Sequence, residues 1–335
     1  MKSSITFIKR YALGLIAAAC VFNACKKDET FDFNGDATSR VYFNIGSYTV
    51  KNYDSFNFLI RHTPAGSVGE EIKAVVKARA TLETEENTKV SYTIDNTLIE
   101  DYNAAKGTNY VAVPAGILEL SVGQLNIPQG ALISSDSLTI TVPQAKMAGL
   151  TAPGYVVPVK ITSVNEAKNV AVSSNANTIY LVIKTIQTNV YDAPTVTDVV
   201  GTLNTVRTGW TATLDATLTS GSLPNMFDAG TNTSWYINPP KNVNMVVNMN
   251  AAINGIKGIR FHTSTTTYYL TTANVFTSMD GVTWTPQGVA NFSIVNAYQY
   301  VKFYSPVNAR YIKLEVTGWR TGSTRIMFTD FNIYI

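Results

Sequence analysis

The sequence of 335 residues is poor in charge, in histidine and in cysteine. Charged side chains make up 15% of it against 45% hydrophobic ones, so the chain can bury large cores and does not read as disordered. The two histidines, His62 and His262, exclude a histidine-rich zinc site. The two cysteines, Cys20 and Cys25, both fall near the start, so the remainder carries no thiol and must be stabilised by packing alone. No His-Glu-x-x-His, Gly-x-Ser-x-Gly or phosphate-loop pattern is present. Acids are sparse, whereas retaining glycoside hydrolysis needs two carboxyls about 5 Å apart. The expectation is a protein that is not an enzyme. A basic stripe is also missing. The formal net charge of +3 comes from Lys2, Lys9 and Arg10; without them, 23 basic side chains face 23 acidic ones. Nucleic acid is therefore not an expected partner.

What is present begins with the first residues. Lys2, Lys9 and Arg10 precede an apolar run over 11–22, and no acid occurs before Asp28. That run is too short to span a bilayer core of roughly 30 Å and reads as an export signal. Ala24-Cys25 at its end resembles a bacterial lipoprotein cleavage site. The resemblance implies a signal peptide over 1–24, lipidation of Cys25 and attachment to a membrane, where each buried CH₂ contributes about 0.8 kcal/mol. Lys26-Lys27-Asp28-Glu29 resembles the charged export signal of Bacteroidota-type lipoproteins facing outward from the outer membrane. The other readings are a plain signal peptide with incidental cysteines, and a charged stretch that is only a solvated spacer. Residues 25–38 are polar and read as a flexible tether.

The rest is rich in Tyr (18) and Phe (14), with Thr, Val and Ile throughout, a composition suited to pleated sheets. The fold class expected is all-β, with two β-sandwich domains over 39–186 and 201–335 and a linker over 187–200. Strands are predicted at 41–43, 72–80, 90–94, 116–120, 137–142, 155–163 and 178–183, separated by Pro, Gly and Asn clusters. One helix is predicted over 96–105, capped by Asp95, with Leu98, Ile99 and Tyr102 on one face and Gly107 as its stop. Leu98, Asp101-Tyr102-Asn103, Gly107-Thr108-Asn109-Tyr110 and Pro114, with Ile127-Pro128-Gln129-Gly130 and Tyr155-Val156-Val157-Pro158-Val159, carry a resemblance to an N-terminal β-sandwich family of Bacteroidota-type surface lipoproteins. That family has no assigned activity and often stands beside glycan-binding or glycan-cleaving modules. The resemblance implies a spacer and platform.

Five stretches of the second unit resemble the discoidin, or coagulation factor V/VIII type C, jelly roll. They are Trp210-Thr-Ala-Thr-Leu, the turn from Met226 to Trp235, the Ser278-Met-Asp-Gly-Val-Thr-Trp284 hairpin, Ala309-Arg310-Tyr311-Ile312-Lys313-Leu314 and the closing Asp330-Phe331-Asn332-Ile333-Tyr334. Alternation over 311–316 places Ile312, Leu314 and Val316 on one face, with Lys313 and Glu315 on the other. Trp235 and Trp284 read as core anchors rather than sugar platforms. Asp228 and Thr233 in one tight loop, with Asp330 added by the resemblance, form a candidate structural calcium site, because Ca²⁺ takes about six to eight oxygens. The other reading is a turn closed by Asp228 on nearby amides.

Sugar sites in this family lie on loops at one end of the sandwich, where an aromatic face meets the sugar's C–H surface and planar polar groups meet its hydroxyls. Two loops fit. One runs from Gly318 to Arg325 and holds Trp319, Arg320 and Arg325; the other runs from His262 to Tyr269 and holds His262, Tyr268 and Tyr269. One of the two tyrosines is expected to pack and the other to be exposed. Tyr236 and Asn238 are weaker candidates. The function expected is a cell-surface lipoprotein that binds glycan or polysaccharide for polysaccharide utilisation. The alternatives are an adhesin or scaffold binding a protein partner, or an accessory subunit beside outer-membrane transport or glycan-degrading proteins.

Overall fold

The structure is a computed structural model that describes residues 38–45, 56–165, 168–292 and 297–335. The signal segment 1–24, Cys25 and all of the tether except Thr38 lie outside the described residues. No helix among the described residues is long and apolar enough to cross a membrane.

The first unit contains β1 (Ser39–Asn44), β2 (Phe56–Thr63), β3 (Gly66–Gly69), β4 (Ile72–Ala80), β5 (Thr88–Ile94), β6 (Glu119–Leu120), β7 (Gln124–Ile127), β8 (Leu138–Val142), β9 (Gly154–Val164), β10 (Val170–Val172) and β11 (Thr178–Gln187). They form two sheets, in the orders β10-β1-β4-β8-β6 and β3-β2-β11-β9-β5-β7. Alternation along β4 turns Ile72, Ala74, Val76, Ala78 and Ala80 inward. Most of these meet Val90, Leu125, Val159 and Leu181 of the other sheet in one core. The centres of β9 and β11 are buried on both faces and read as unbroken apolar runs.

The cover on their outer face is helix α1 (Ile99–Lys106), which follows a 3₁₀ turn at Asn96–Leu98. The Asp95 carboxylate accepts from the Thr97 N–H at 3.2 Å, and Gly107 ends the helix at φ +64°, where a side chain would be strained. Tyr102 is buried, with its ring 5.5 Å from Tyr180 and 6.2 Å from Tyr110. Asn103 closes the helix exit. Its Oδ1 accepts from the Tyr110 N–H and the Thr108 hydroxyl, and its amide donates to the Tyr110 carbonyl.

The strand expected over 116–120 shrinks to β6, because the residues before it form a turn with Gly116 at positive φ. β2, β3, β7 and β10 were not expected. β3 and β10 are four and three residues long and are held by neighbouring strands rather than by an apolar pattern of their own.

The second unit contains β12 (Thr211–Leu214), β13 (Ser220–Gly221), β14 (Trp235–Ile237), β15 (Val243–His262), β16 (Leu270–Ser278), β17 (Thr285–Asn291), β18 (Tyr298–Trp319), β19 (Ile326–Phe328) and β20 (Asp330–Tyr334). One sheet runs β12-β15-β18-β16-β17 with β20 on β15; the other is β13-β14-β19. β15 and β18 pair twice, at 243–248 with 311–316 and at 258–262 with 298–302, with register shifts between. Such irregular corners let a long strand bend and leave one layer for the other, which closes the jelly roll. Ile312, Leu314 and Val316 are buried as the alternation required, while Lys313 and Glu315 pair outside at 2.9 Å.

Trp235, Phe261, Phe328 and Phe331 fill the core, with the Trp235 and Phe328 rings stacked 5.0 Å apart. Trp284 departs from its expected core role. It is half-buried on the outer face, with the Lys313 ammonium 5.0 Å from its ring. The hairpin before it is built as read. The Asp280 carboxylate accepts from the N–H groups of Val282 and Thr283 and from the Ser278 hydroxyl, which holds its pKa far below the usual carboxylate range.

Residues 187–200, read as a linker, do not hang free between the units. The Thr188 N–H donates to the His62 carbonyl, while the next residue, Asn189, donates its N–H to Gln287 and accepts from the Tyr304 N–H. The Asn189 side chain bonds Gln287 and both the N–H and carbonyl of Ser305. Val190 bridges to Phe303 and joins the second core. An ion pair between Arg61 and Asp192, 3.0 Å, adds a tie across the junction.

Candidate functional site

Three chain segments converge at one rim of the second unit. Trp319, at the end of β18, pairs with Leu270, and the Arg320 N–H donates to the Tyr269 carbonyl at 3.1 Å. Arg320 Nη1 reaches the Thr266 carbonyl at 3.4 Å, which stitches the two expected loops together. Pairing of Ile237 with Ile326 carries Tyr236 beside Arg325. The guanidinium carbon of Arg325 lies 4.4 Å from the Tyr236 ring centre and 4.9 Å from that of Tyr268. Cation–π contacts of this kind are worth about 0.5–1 kcal/mol at exposed sites and more where water is excluded. Arg320 lies 5.9 Å from the Tyr269 ring. Tyr269 is buried and Tyr268 is half-buried, so the pair divides between packing and the rim.

Trp319 is not a loop residue. It is the last residue of its strand, half-buried, with its indole packed against the core, so only part of it faces outward. Asn238 holds Thr219 through backbone groups. His262 stands in a neighbouring stack rather than in the Arg325 cluster. Its ring centre is 4.4 Å from that of Tyr298, whose ring also lies 4.6 Å from the Arg260 guanidinium. Nδ1 of His262 accepts from the Ser264 N–H at 3.2 Å and lies 2.5 Å from the Thr329 hydroxyl, so the neutral ring carries its proton on Nε2. Burial lowers the pKa of this ring, with Asp330 opposing and Arg260 reinforcing the shift.

The calcium expectation does not fit the donors. Asp330 is 3% exposed, and its two oxygens are taken by Arg207 Nη1 at 2.5 Å and Arg260 Nη2 at 2.9 Å. Arg207 Nη1 also donates to the carbonyls of Met226 (3.3 Å) and Phe331 (2.9 Å). A buried guanidinium thus already gathers these oxygens, and a divalent ion beside it would meet two like charges. Asp228 is closed within its own turn by the Thr233 hydroxyl and the Gly230 N–H, which lower its pKa. Among the described residues no cluster of three or more His, Cys, Asp or Glu is arranged to hold a metal ion. Arg207, Arg260 and Tyr298 escaped the sequence reading, because their partners are distant in the chain and leave no local pattern.

A cleft of about 570 Å³ lies where the two units meet, lined among others by His62, Asn189, Gln287 and Ser305. The side-chain polar groups of His62, Asn189 and Gln287 are spent on one another and on nearby residues, and its lining holds no aromatic ring but the imidazole of His62. The rim remains the better candidate.

A family model described as an N-terminal domain matches residues 35–168, and the F5/8 type C domain model matches residues 210–331. Among solved structures, the chain is similar to a two-domain protein of unknown function from Bacteroides fragilis, at 16% identity and TM-score 0.56, over 89% of this chain and 95% of that one. It is also similar over 38% of its length to 93% of a family 32 carbohydrate-binding module from Clostridium perfringens NanJ in complex with galactose, at 17% identity and TM-score 0.32. A third similarity covers 39% of this chain and 96% of the C-terminal domain of a Bacteroides fragilis chitobiase, at 19% identity and TM-score 0.32. No curated protein matches the sequence. The protein is a two-domain, all-β chain in which an N-terminal β-sandwich domain is followed by an F5/8 type C, or discoidin, domain.

Proposed function

We propose that this chain is a cell-surface lipoprotein that captures carbohydrate for polysaccharide utilisation through the rim of its discoidin domain. The observation that carries this reading is the convergence of Tyr236, Tyr268, Arg320 and Arg325 beside the outward edge of Trp319. Sugar recognition needs ring faces for C–H surface and planar donors for hydroxyls, and this rim supplies both, fringed by the exposed hydroxyls of Thr265, Thr266, Thr267, Thr321 and Thr324. The role is capture without turnover. Asp330, the acid on the strand that follows the rim loop, is consumed by two arginines and offers no free carboxylate for acid–base work.

In this reading Cys25 carries the lipid anchor, the first sandwich is the spacer, and the working partners are outer-membrane transport or glycan-degrading proteins. A glycan array followed by calorimetry tests the capture. Tyr268→Ala is expected to weaken binding by about tenfold or more, since ring contacts to a ligand commonly exceed 1 kcal/mol. A folded protein that binds no glycan on a broad array would refute it. The anchor is tested separately: Cys25→Ser should release the protein from the membrane fraction.

A further inference from the structure

We infer that the glycan held at this rim is anionic, with a carboxylate or sulfate group seated on Arg325 and Arg320; the inference rests on the carbohydrate-binding reading above. The second unit has five arginines. Arg207 and Arg260 share Asp330, and Arg310 donates to the Asn248 side chain at 3.1 Å. Arg320 and Arg325 have no carboxylate partner among the described residues. The hydrogen bond of the Arg320 guanidinium is the long one to the Thr266 carbonyl, and among the described residues the Arg325 guanidinium makes none, its buried Nε included.

The segments that build the rim, 234–244, 263–278 and 316–329, contain neither Asp nor Glu. The exposed Arg320 and the half-buried Arg325 therefore stand on one rim to which these segments supply no negative charge. A half-buried cation is costly when uncompensated, and an anion brought to it gains more than it would in open water.

The rings make the arrangement a receptor for an oxyanion that presents paired oxygens. Tyr236 and Tyr268 hold the Arg325 group in place without consuming any of its N–H donors. Those donors form a rigid fork that matches paired oxygens, whether of a uronate carboxylate or of a sulfate ester. A neutral sugar could accept single hydrogen bonds from the same fork, but it would leave the charge unbalanced.

The test is a glycan array holding acidic and neutral polysaccharides, followed by titration with galacturonate, sulfated galactose and neutral galactose trisaccharides at about 20 and about 300 mM NaCl. An acidic trisaccharide should bind about tenfold tighter than the neutral one at low salt, with the advantage shrinking at high salt. The tighter of the two acidic arms identifies the oxyanion. Arg325→Gln should bring acidic and neutral ligands level; if that variant melts early, Arg320→Gln should still narrow the gap. Equal affinity for acidic and neutral ligands, or an acidic preference that survives both substitutions, would overturn the inference and leave carbohydrate capture standing. Binding to nothing on the array would overturn both.

Discussion

In the first unit, Tyr102 of the helix closes on Tyr110 and Tyr180, with Val156 and Val182 completing the cluster. In the second, Tyr236 and Tyr268 close on a guanidinium that has no acid to answer it among the described residues. The side chain is the same and so is its amphipathic character, yet its use differs with what lies against the ring. Against valine and another phenol, ring area becomes stability. Against an unpaired arginine it becomes a fixture for something still to arrive. Aromatic content alone therefore does not mark a site; the partner of the ring does.

The contrast can be broken most forcefully at the buried end. Tyr102→Ala should cost about 4 kcal/mol in urea unfolding, as large aromatic truncations in cores do, and should leave glycan affinity unchanged. A loss of binding in that variant would show that the two clusters are not separate in function. Next in size is Asp330→Ala, which strands two guanidiniums and should cost about 3 kcal/mol. Millimolar calcium should not restore the loss, and a chelator should leave the wild-type melting temperature in place. A calcium-dependent rise in that temperature would show that a divalent ion does reach this region.

Tyr268→Ala sharpens the contrast from the other side. Its expected cost in stability is below about 1 kcal/mol, the scale of a partly exposed cation–π contact, while its effect on glycan affinity is the larger one. The smallest effect is on pH. The His262 pKa is lowered by burial, so below the usual histidine value near 6.5 the unfolded chain binds a proton that the folded one refuses. Stability should therefore rise with pH up to that value and flatten above it. Thermal melts between pH 5 and 8 should show this slope, and His262→Gln should remove it.

Features set by near neighbours could be read from the sequence. The alternation of Ile72–Ala80 marked β4 with its observed ends, the closing strand fell at Asp330–Tyr334, and Gly107 stopped the helix. The candidate site was legible only as an inventory. Tyr268, Tyr269, Arg320 and Arg325 were named, but Trp319 was read as a loop residue although strand pairing with Leu270 anchors it. Asp330 joins the candidate metal ligands only through the family resemblance, and nothing near it in sequence announces Arg207 or Arg260. Contacts of this kind depend on which strands become neighbours, and a local pattern carries no information about that.

The junction at Thr188 and Asn189 bears on how such a molecule would meet a polymer. The first of these residues is still bonded to one domain and the second already to the other, so no hinge residue separates them. A receptor of this build would have little interdomain swing to surrender when it engages an extended chain, and that entropic saving would add to its affinity. It also fixes the direction in which the discoidin rim looks with respect to the strands beneath it, as the head of a mast is fixed by its pole.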